Sequence, residues 1–418
     1  MKITKILARE IYDSRGWPTV QCEIILNNQF SVKSSVPSGI SKGPYEAIEL
    51  RDGGKRLSGQ GVLKAIENIE LFLAPQFLSK EPNGLEMDMK ILAADSTPDK
   101  SKLGANATLA LSMALYKAQA FSENVELYEL IAWVFGSETV SLPFPMFNLI
   151  NGGLHSNNNL IIQEFMIVPI GLSNFRASME VAVNVYHELQ NILKKMNRNF
   201  AIGDEGGIAC GIEDDLEALE LLQKAIDTVV KNSGSKCVIA LDISAERLYN
   251  ASKKIYNWGG DKLSSEELMY VYLNLLEKYP IYSLEDPFAS NDLESWAKLN
   301  KIADGKIQIV GDDIFATNMA RIVKGLEQKA ANATIVKPNQ IGTITETLQT
   351  IKMCKEVGVN TIVSHRSGET EDNFIADLAV GASAGQIKAG GCARGERIAK
   401  YNRLLTIEDK LALHLLNT

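Results

Sequence analysis

The chain is poor in the residues that mark several common classes of protein. Its 418 residues hold five cysteines and four histidines, aromatic residues make up 7%, and no basic excess exists, with 43 Lys and Arg against 51 Asp and Glu. The cysteines (Cys22, Cys210, Cys237, Cys354, Cys392) are scattered, odd in number and free of any Cys-x-x-Cys pair, which argues against a disulfide framework and for reduced thiols in a cytosolic protein. A net charge of −8 gives no whole-chain field for nucleic acid, although a locally basic pocket stays open. No run approaches the roughly 18 apolar residues of a membrane span, and the opening MKITKILAREIYDSRG has no apolar stretch of signal-peptide length. Hydrophobic residues at 45% are ample for a core.

What is present is a ladder. Asp242, Glu285, Asp312, Lys337, His365 and Lys388 each end a short apolar run: VIALD, IYSLE, IQIVGD, ATIVK, NTIVSH and GQIK, with gaps of 43, 27, 25, 28 and 23 residues. Runs so short and rich in Val and Ile predict strands, and the intervals suit a strand, a helix and two loops. A barrel of such units brings its strand carboxyl ends to one face, so these six charged side chains are expected to converge.

Such a barrel takes about 250 residues, so a second domain is expected. Residues 1–135 read as an α+β capping domain. KITKILAREI, TVQCEIIL and QFSVKSSV predict a three-stranded antiparallel meander, with Asn27 and Asn28 in the turn between the last two strands. A glycine-punctuated loop follows, then helices near 61–73, 84–94 and 105–121 over one face of the meander. Residues 136–418 read as the eight-stranded β/α barrel. PMFNLINGG and EFMIVPIG are strand-like with no helix between them, so the barrel is expected to open with a hairpin. Helices are expected near 174–196, 213–232, 264–278, 291–303, 318–328, 343–357, 372–384 and 395–415.

Three carboxylates in one pocket are costly unless a cation or protons join them. Asp242, Glu285 and Asp312 form an oxygen-only set suited to Mg²⁺ or Mn²⁺. The alternatives are helix capping or pairing with a lysine across the barrel. Lys337 or Lys388 can serve as a base only if its proton is loose, which nearby positive charge favours; the alternative is a structural ion pair. His365, Arg366 and Ser367 in SHRSGE, ahead of a helix, form a candidate phosphate cradle. Glu205 in GDEGG and Glu164 in QEF are further acids, and close carboxylates push each other's pKa apart. His155 lies in a Gly- and Asn-rich loop, where a surface position is the bland reading. A base, a hard cation, an anion cradle and an acid together fit proton abstraction beside a carboxylate with loss of a leaving group.

These strings, together with DSRG, VPSG, EAIELRDGG, KSKLGANA, LEDPF, VKPNQIGT, SHRSGETED and RIAKYNRLL, make the chain similar to the enolase family along nearly its whole length. The resemblance implies an α+β cap and a barrel with an irregular ββαα opening. It implies dehydration of 2-phosphoglycerate to phosphoenolpyruvate in glycolysis, with Lys337 as base and Glu205 as acid, Glu164 and His155 in support. By the same resemblance Asp242, Glu285 and Asp312 hold one Mg²⁺, Ser41 of a mobile loop helps hold a second that arrives with substrate, and Gln163, His365, Arg366, Ser367 and Lys388 contact substrate. A cytoplasmic homo-oligomer, a dimer or a tetramer of dimers, is implied too. Departures cluster in loops: GISKG at 39–43 where the family usually has GASTG, NGGLHSNNNL for NGGSHAGNKL, Trp17 for asparagine, and QIKAG for QIKTG. They leave open an enolase-like lyase for another phosphorylated or phosphonate acid. A non-catalytic binding protein on the same fold is the third reading, opposed by the presence of every matching catalytic residue.

Overall fold

A computed structural model describes residues 1–40, 43–233 and 235–417. The chain forms two compact units, one of Met1–Leu142 with Ala316–Asn318 and Val336–Gly385, the other of Pro143–Phe315 with Met319–Ile335 and Gln386–Thr418.

In the first unit, β1 (Ile3–Tyr12), β2 (Pro18–Leu26) and β3 (Phe30–Ser35) form an antiparallel sheet in chain order. Asn27 and Asn28 both take positive φ (50° and 56°), the left-handed pair a two-residue hairpin needs, and Gln29 N donates to Leu26 O at 3.0 Å. Cys22, Ile24 and Leu26 alternate inward from β2. The helix Ala105–Glu123 packs on β2 and β3, its alanines permitting close approach, and Ser34 Oγ donates to Ala110 O at 2.5 Å. Gly84 opens the helix Gly84–Ala94 where a Cβ would lie 2.5 Å from the Tyr116 ring. The segment expected as one helix over 61–73 is Leu63–Glu67 followed by a wider π turn, Asn68–Leu73. A helix at Leu127–Phe135, opened by a Glu126/Glu129 capping box, was absent from the sequence reading.

The barrel is closed and eight-stranded. Its strands are β4 (Phe144–Asn151), β5 (Glu164–Ile170) and β6 (Lys236–Asp242), then β10 (Ile281–Glu285), β11 (Gln308–Gly311), β12 (Ala333–Val336), β13 (Asn360–Ser364) and β14 (Gly385–Lys388). Between β6 and β10 lies a small antiparallel sheet of β7 (Tyr249–Asn250), β8 (Ile255–Trp258) and β9 (Asp261–Leu263), which accounts for the longest gap in the ladder. Those strands are too short to show an alternation in sequence.

The hairpin opening is present: β5 runs antiparallel to both β4 and β6. Helices Phe175–Lys195 and Asp215–Ser233 follow it before β6, giving the ββαα start. After β6 the pattern is strand then helix, as in Ser265–Lys278, closed at its start by a Ser264/Glu267 capping box, and Leu293–Ala303. Strands β11 and β12 are buried along their whole length, as strands covered on both faces of a parallel sheet should be.

Candidate active site

Strand direction builds the first half of the site. Because β5 is reversed, its first residue, Glu164, pairs with the last residue of β6, Asp242, and with the last of β4, Asn151. Asp242 in turn pairs with Glu285, the last residue of β10. Three carboxylates therefore occupy successive positions on one rim, and Lys388, the last residue of β14, reaches them from across the barrel. Its Nζ lies 2.8 and 3.0 Å from the two Glu285 oxygens, 3.2 Å from Asp242 Oδ2 and 3.2 Å from Glu164 Oε2. All four side chains are buried.

Burial by itself favours a neutral Lys388 amine. The carboxylates of Glu164, Glu285, Asp242 and Glu205 outweigh it and hold the ammonium well above the ordinary lysine range. The carboxylates gathered around Lys388 thus favour its charged form. Its pairing across the barrel is the structural ion pair named as the alternative.

The second half of the site surrounds an imidazole. His155 is buried in a short 3₁₀ turn, Gly153–His155, and its Nδ1 lies 3.3 Å from Glu205 Oε2 and 3.6 Å from Glu164 Oε1. The surface reading of this histidine is therefore wrong: Asn158 ties the loop down by donating to Asn151 O (2.8 Å) and Ala209 O (2.7 Å). Burial, then the neighbouring Glu205, push the Glu164 carboxyl well above the usual range, with Lys388 opposing. Of the two close acids, Glu164 is thus pushed toward its protonated form.

The GDEGG loop is held by backbone contacts. Gly206 has φ 91°, and a Cβ there would meet Ala393 O at 2.5 Å. Gly391 N donates to Glu205 O (2.7 Å), the buried Arg397 donates to Asp204 O (3.0 Å), and Asn151 Oδ1 accepts from Gly207 N (2.9 Å). Asn148 Nδ2 donates to Glu205 Oε2 at 3.1 Å. Asn148 and Asn151 were missed as site residues in the sequence, where the first is a polar residue inside an otherwise apolar strand and the second ends it ahead of two glycines. Gln163 is buried, and its Oε1 has no hydrogen-bond partner, leaving an acceptor for a ligand.

Asp312 stands one residue past β11, beside Asp313 and Asp286; these three offer ligand atoms within 4.8 Å of one another, as do His155, Glu164 and Glu205. Asp242 Oδ1 is buried without a hydrogen-bond donor. The trio of Asp286, Asp312 and Asp313 is oxygen-only, which fits a hard divalent cation, whereas the other trio includes an imidazole.

In the first unit, Lys337 directly follows β12 and caps the short helix Pro338–Ile341, with its N–H donating to Thr317 Oγ1 at 2.9 Å. Arg366 makes a two-pronged pair with Glu46, at 2.7 and 3.1 Å, and donates to Asn339 Oδ1 at 3.2 Å. Glu46 was missed; it lies in the recognised string EAIELRDGG, but nothing in its spacing points to Arg366. Gly39 packs so closely on this guanidinium that a Cβ would overlap it. Ser367 Oγ accepts from Ile40 N (2.8 Å) and Arg15 (3.4 Å). The cradle does not stand at a helix start: the next helix is Phe374–Gly381, and Gly368 instead bridges antiparallel to Ser38. His365 is buried directly after β13. Ser41, and with it Lys42, lies outside the described residues.

A closed barrel with an irregular opening and charged residues at its strand ends, in a chain with an α+β N-terminal region, defines the class of the enolase-superfamily lyases. The family model described as enolase, N-terminal domain matches residues 3–131, and that described as enolase, C-terminal TIM barrel domain matches residues 139–415. The chain belongs to the enolase family. That family carries out Mg²⁺-dependent dehydration on small phosphorylated acids, and the acidic clusters above could bind the metal. Among the described residues no helix is long and apolar enough to cross a membrane.

Proposed function

We propose that this chain is a phosphopyruvate hydratase, converting 2-phospho-D-glycerate reversibly to phosphoenolpyruvate and water in glycolysis. The observation that carries the reading is the buried rim on which Lys388 contacts Asp242 and Glu285, two carboxylates of the candidate cation set, together with Glu164. Lys337 takes the proton from C2, and Glu205 delivers a proton to the C3 hydroxyl, which leaves as water while the C2–C3 double bond forms. Glu164 and His155 hold the acid in place and set its protonation. Asp242, Glu285 and Asp312 would hold one Mg²⁺, and Ser41 would contribute to a second. Bound magnesium supplies the positive charge that makes the carbon beside the substrate carboxylate acidic. Lys388 adds fixed charge of the same sign, Gln163 and His365 contact substrate, and Arg366 and Ser367 bind the phosphate. The domain division near residue 135, a homo-oligomeric state, dimer or tetramer of dimers, and a cytoplasmic location belong to the same proposal.

One observation favours the second reading, an enolase-like lyase for a different phosphorylated or phosphonate acid. Two of the loop departures, Trp17 and Ile40, line a single cavity of about 390 Å³ together with Arg15, Ser38 and Arg51.

Turnover of 2-phosphoglycerate by the full chain, with and without EDTA, tests the proposal, with phosphonate analogues run alongside. Activity should require Mg²⁺ and be abolished in Lys337→Ala and in Glu205→Gln. Undiminished turnover in Lys337→Ala would sink the assigned base, and faster turnover of an analogue would favour the second reading.

A further inference from the structure

Asp286 follows the candidate ligand Glu285 directly, yet its carboxylate is directed to the neighbouring strand. Oδ1 accepts from the backbone N–H of Asp312 at 2.9 Å, and Oδ2 accepts from that of Asp313, also at 2.9 Å. We infer that Asp286 is the positioning residue that sets Asp312 for the metal, by gripping the backbone of the turn on which Asp312 stands. The inference rests on the proposed role of Asp312 as a ligand.

Asp312 needs such a grip because the ladder stops before it. Strand β11 ends at Gly311, where a Cβ would meet the Phe315 ring at 2.5 Å, and the chain turns at once, with Phe315 N donating to Asp312 O at 3.0 Å. The two amides at the start of this turn, one buried and one half-buried, are answered by the Asp286 carboxylate and would otherwise lose that acceptor.

Asp286 is itself anchored on both sides. Its N–H donates to Val310 O at 3.0 Å, and its carbonyl accepts from Ala245 N at 3.0 Å, tying it to the end of β11 and to the segment after β6. Its φ is +42°, uncommon for any residue with a Cβ and more so before a proline, here Pro287. The chain keeps an aspartate in this conformation where glycine would fit the backbone more easily. That choice makes sense if the side chain is what the position requires. It also accounts for the close grouping of Asp286, Asp312 and Asp313, of which Asp312 is the proposed ligand.

The test uses the full chain with Asp286→Asn, Asp286→Ala and Asp286→Gly. Mg²⁺ binding without substrate is measured by calorimetry, and hydrogen exchange over residues 312–315 is followed in metal-free protein. Glycine relieves the backbone but removes the grip. Asp286→Gly and Asp286→Ala should both lose about 10- to 100-fold in Mg²⁺ affinity and exchange faster at 312–315. Asp286→Asn, which keeps one acceptor, should lose less and guards against a variant that fails to fold. Wild-type affinity in Asp286→Gly would overturn the inference. So would lost affinity with unchanged exchange, because Asp286 would then be a direct ligand. A wild-type chain that takes up no Mg²⁺ would sink the metal reading itself, whereas normal uptake with equal variants sinks only the positioning role.

Discussion

The regular barrel strands and the irregular opening contribute to one buried cluster by opposite routes. From β6, β10 and β14 the charged residue is the last of a parallel strand: Asp242, Glu285 and Lys388. From the opening it is the first residue of a reversed strand, Glu164, or a loop residue, Glu205 or His155. The electrostatics differ accordingly. The strand-end residues form a closed exchange of charge in which Lys388 answers several carboxylates at once. The opening instead packs acids against each other and against a histidine, so burial and like charge raise the Glu164 pKa. Within this cluster the charged ammonium comes from the regular part, and the carboxyl that holds its proton more tightly comes from the opening.

The comparison can be broken most directly at Lys388. Lys388→Met should cost about 3–5 kcal/mol, because it leaves buried carboxylates without their cation; a melting temperature close to wild type would show that the strand-end group is not held by this lysine. In the opening, Asp215 accepts from Ile161 N (2.9 Å) and Ile162 N (3.2 Å), and burial raises its pKa from 3.8 to about 6. Since the folded state holds this proton more tightly, the stabilisation is complete below the unfolded pKa near 4 and is lost as pH rises through about 6. Asp215→Asn should remove a slope on the order of 3 kcal/mol across that window. Urea denaturation of both proteins at pH 4, 5, 6 and 7 measures it, and parallel profiles would refute it.

Two carboxylates on the same ammonium sharpen the contrast further. Glu285→Gln interrupts a two-oxygen charged contact and should cost roughly 1.5–3 kcal/mol. Glu164→Gln, replacing a group already inclined to hold a proton, should cost less than about 1 kcal/mol. Equal losses in paired thermal melts would mean that the opening is not electrostatically distinct.

Much of this was legible without coordinates. The strand ladder could be read because each parallel strand is a short apolar run stopped by one polar residue, and the register of such strands puts those residues at one end. The Asn27–Asn28 turn was readable because few residues besides glycine accept two successive left-handed positions. The helix Leu127–Phe135 escaped because LYELIAWVF is apolar at nearly every position, and so short an apolar run reads as strand or helix alike. The small sheet escaped because strands of two to four residues carry no alternation. Glu46 and Asp286 lie in recognised strings, but nothing local points to their partners, since each acts on a residue brought near by a different strand or loop.

Sequence alone determined the class of the barrel, the identity of the strand-end residues and the oxygen character of the candidate metal site, because these depend on local periodicity and on side-chain chemistry. Tertiary structure alone decided that Lys388 meets three buried carboxylates, that His155 is buried between two acids and that the Asp286 carboxylate grips the turn of Asp312. Those depend on which strands lie side by side, on the reversal of β5 and on the exclusion of water, none of which is written in any single stretch of chain.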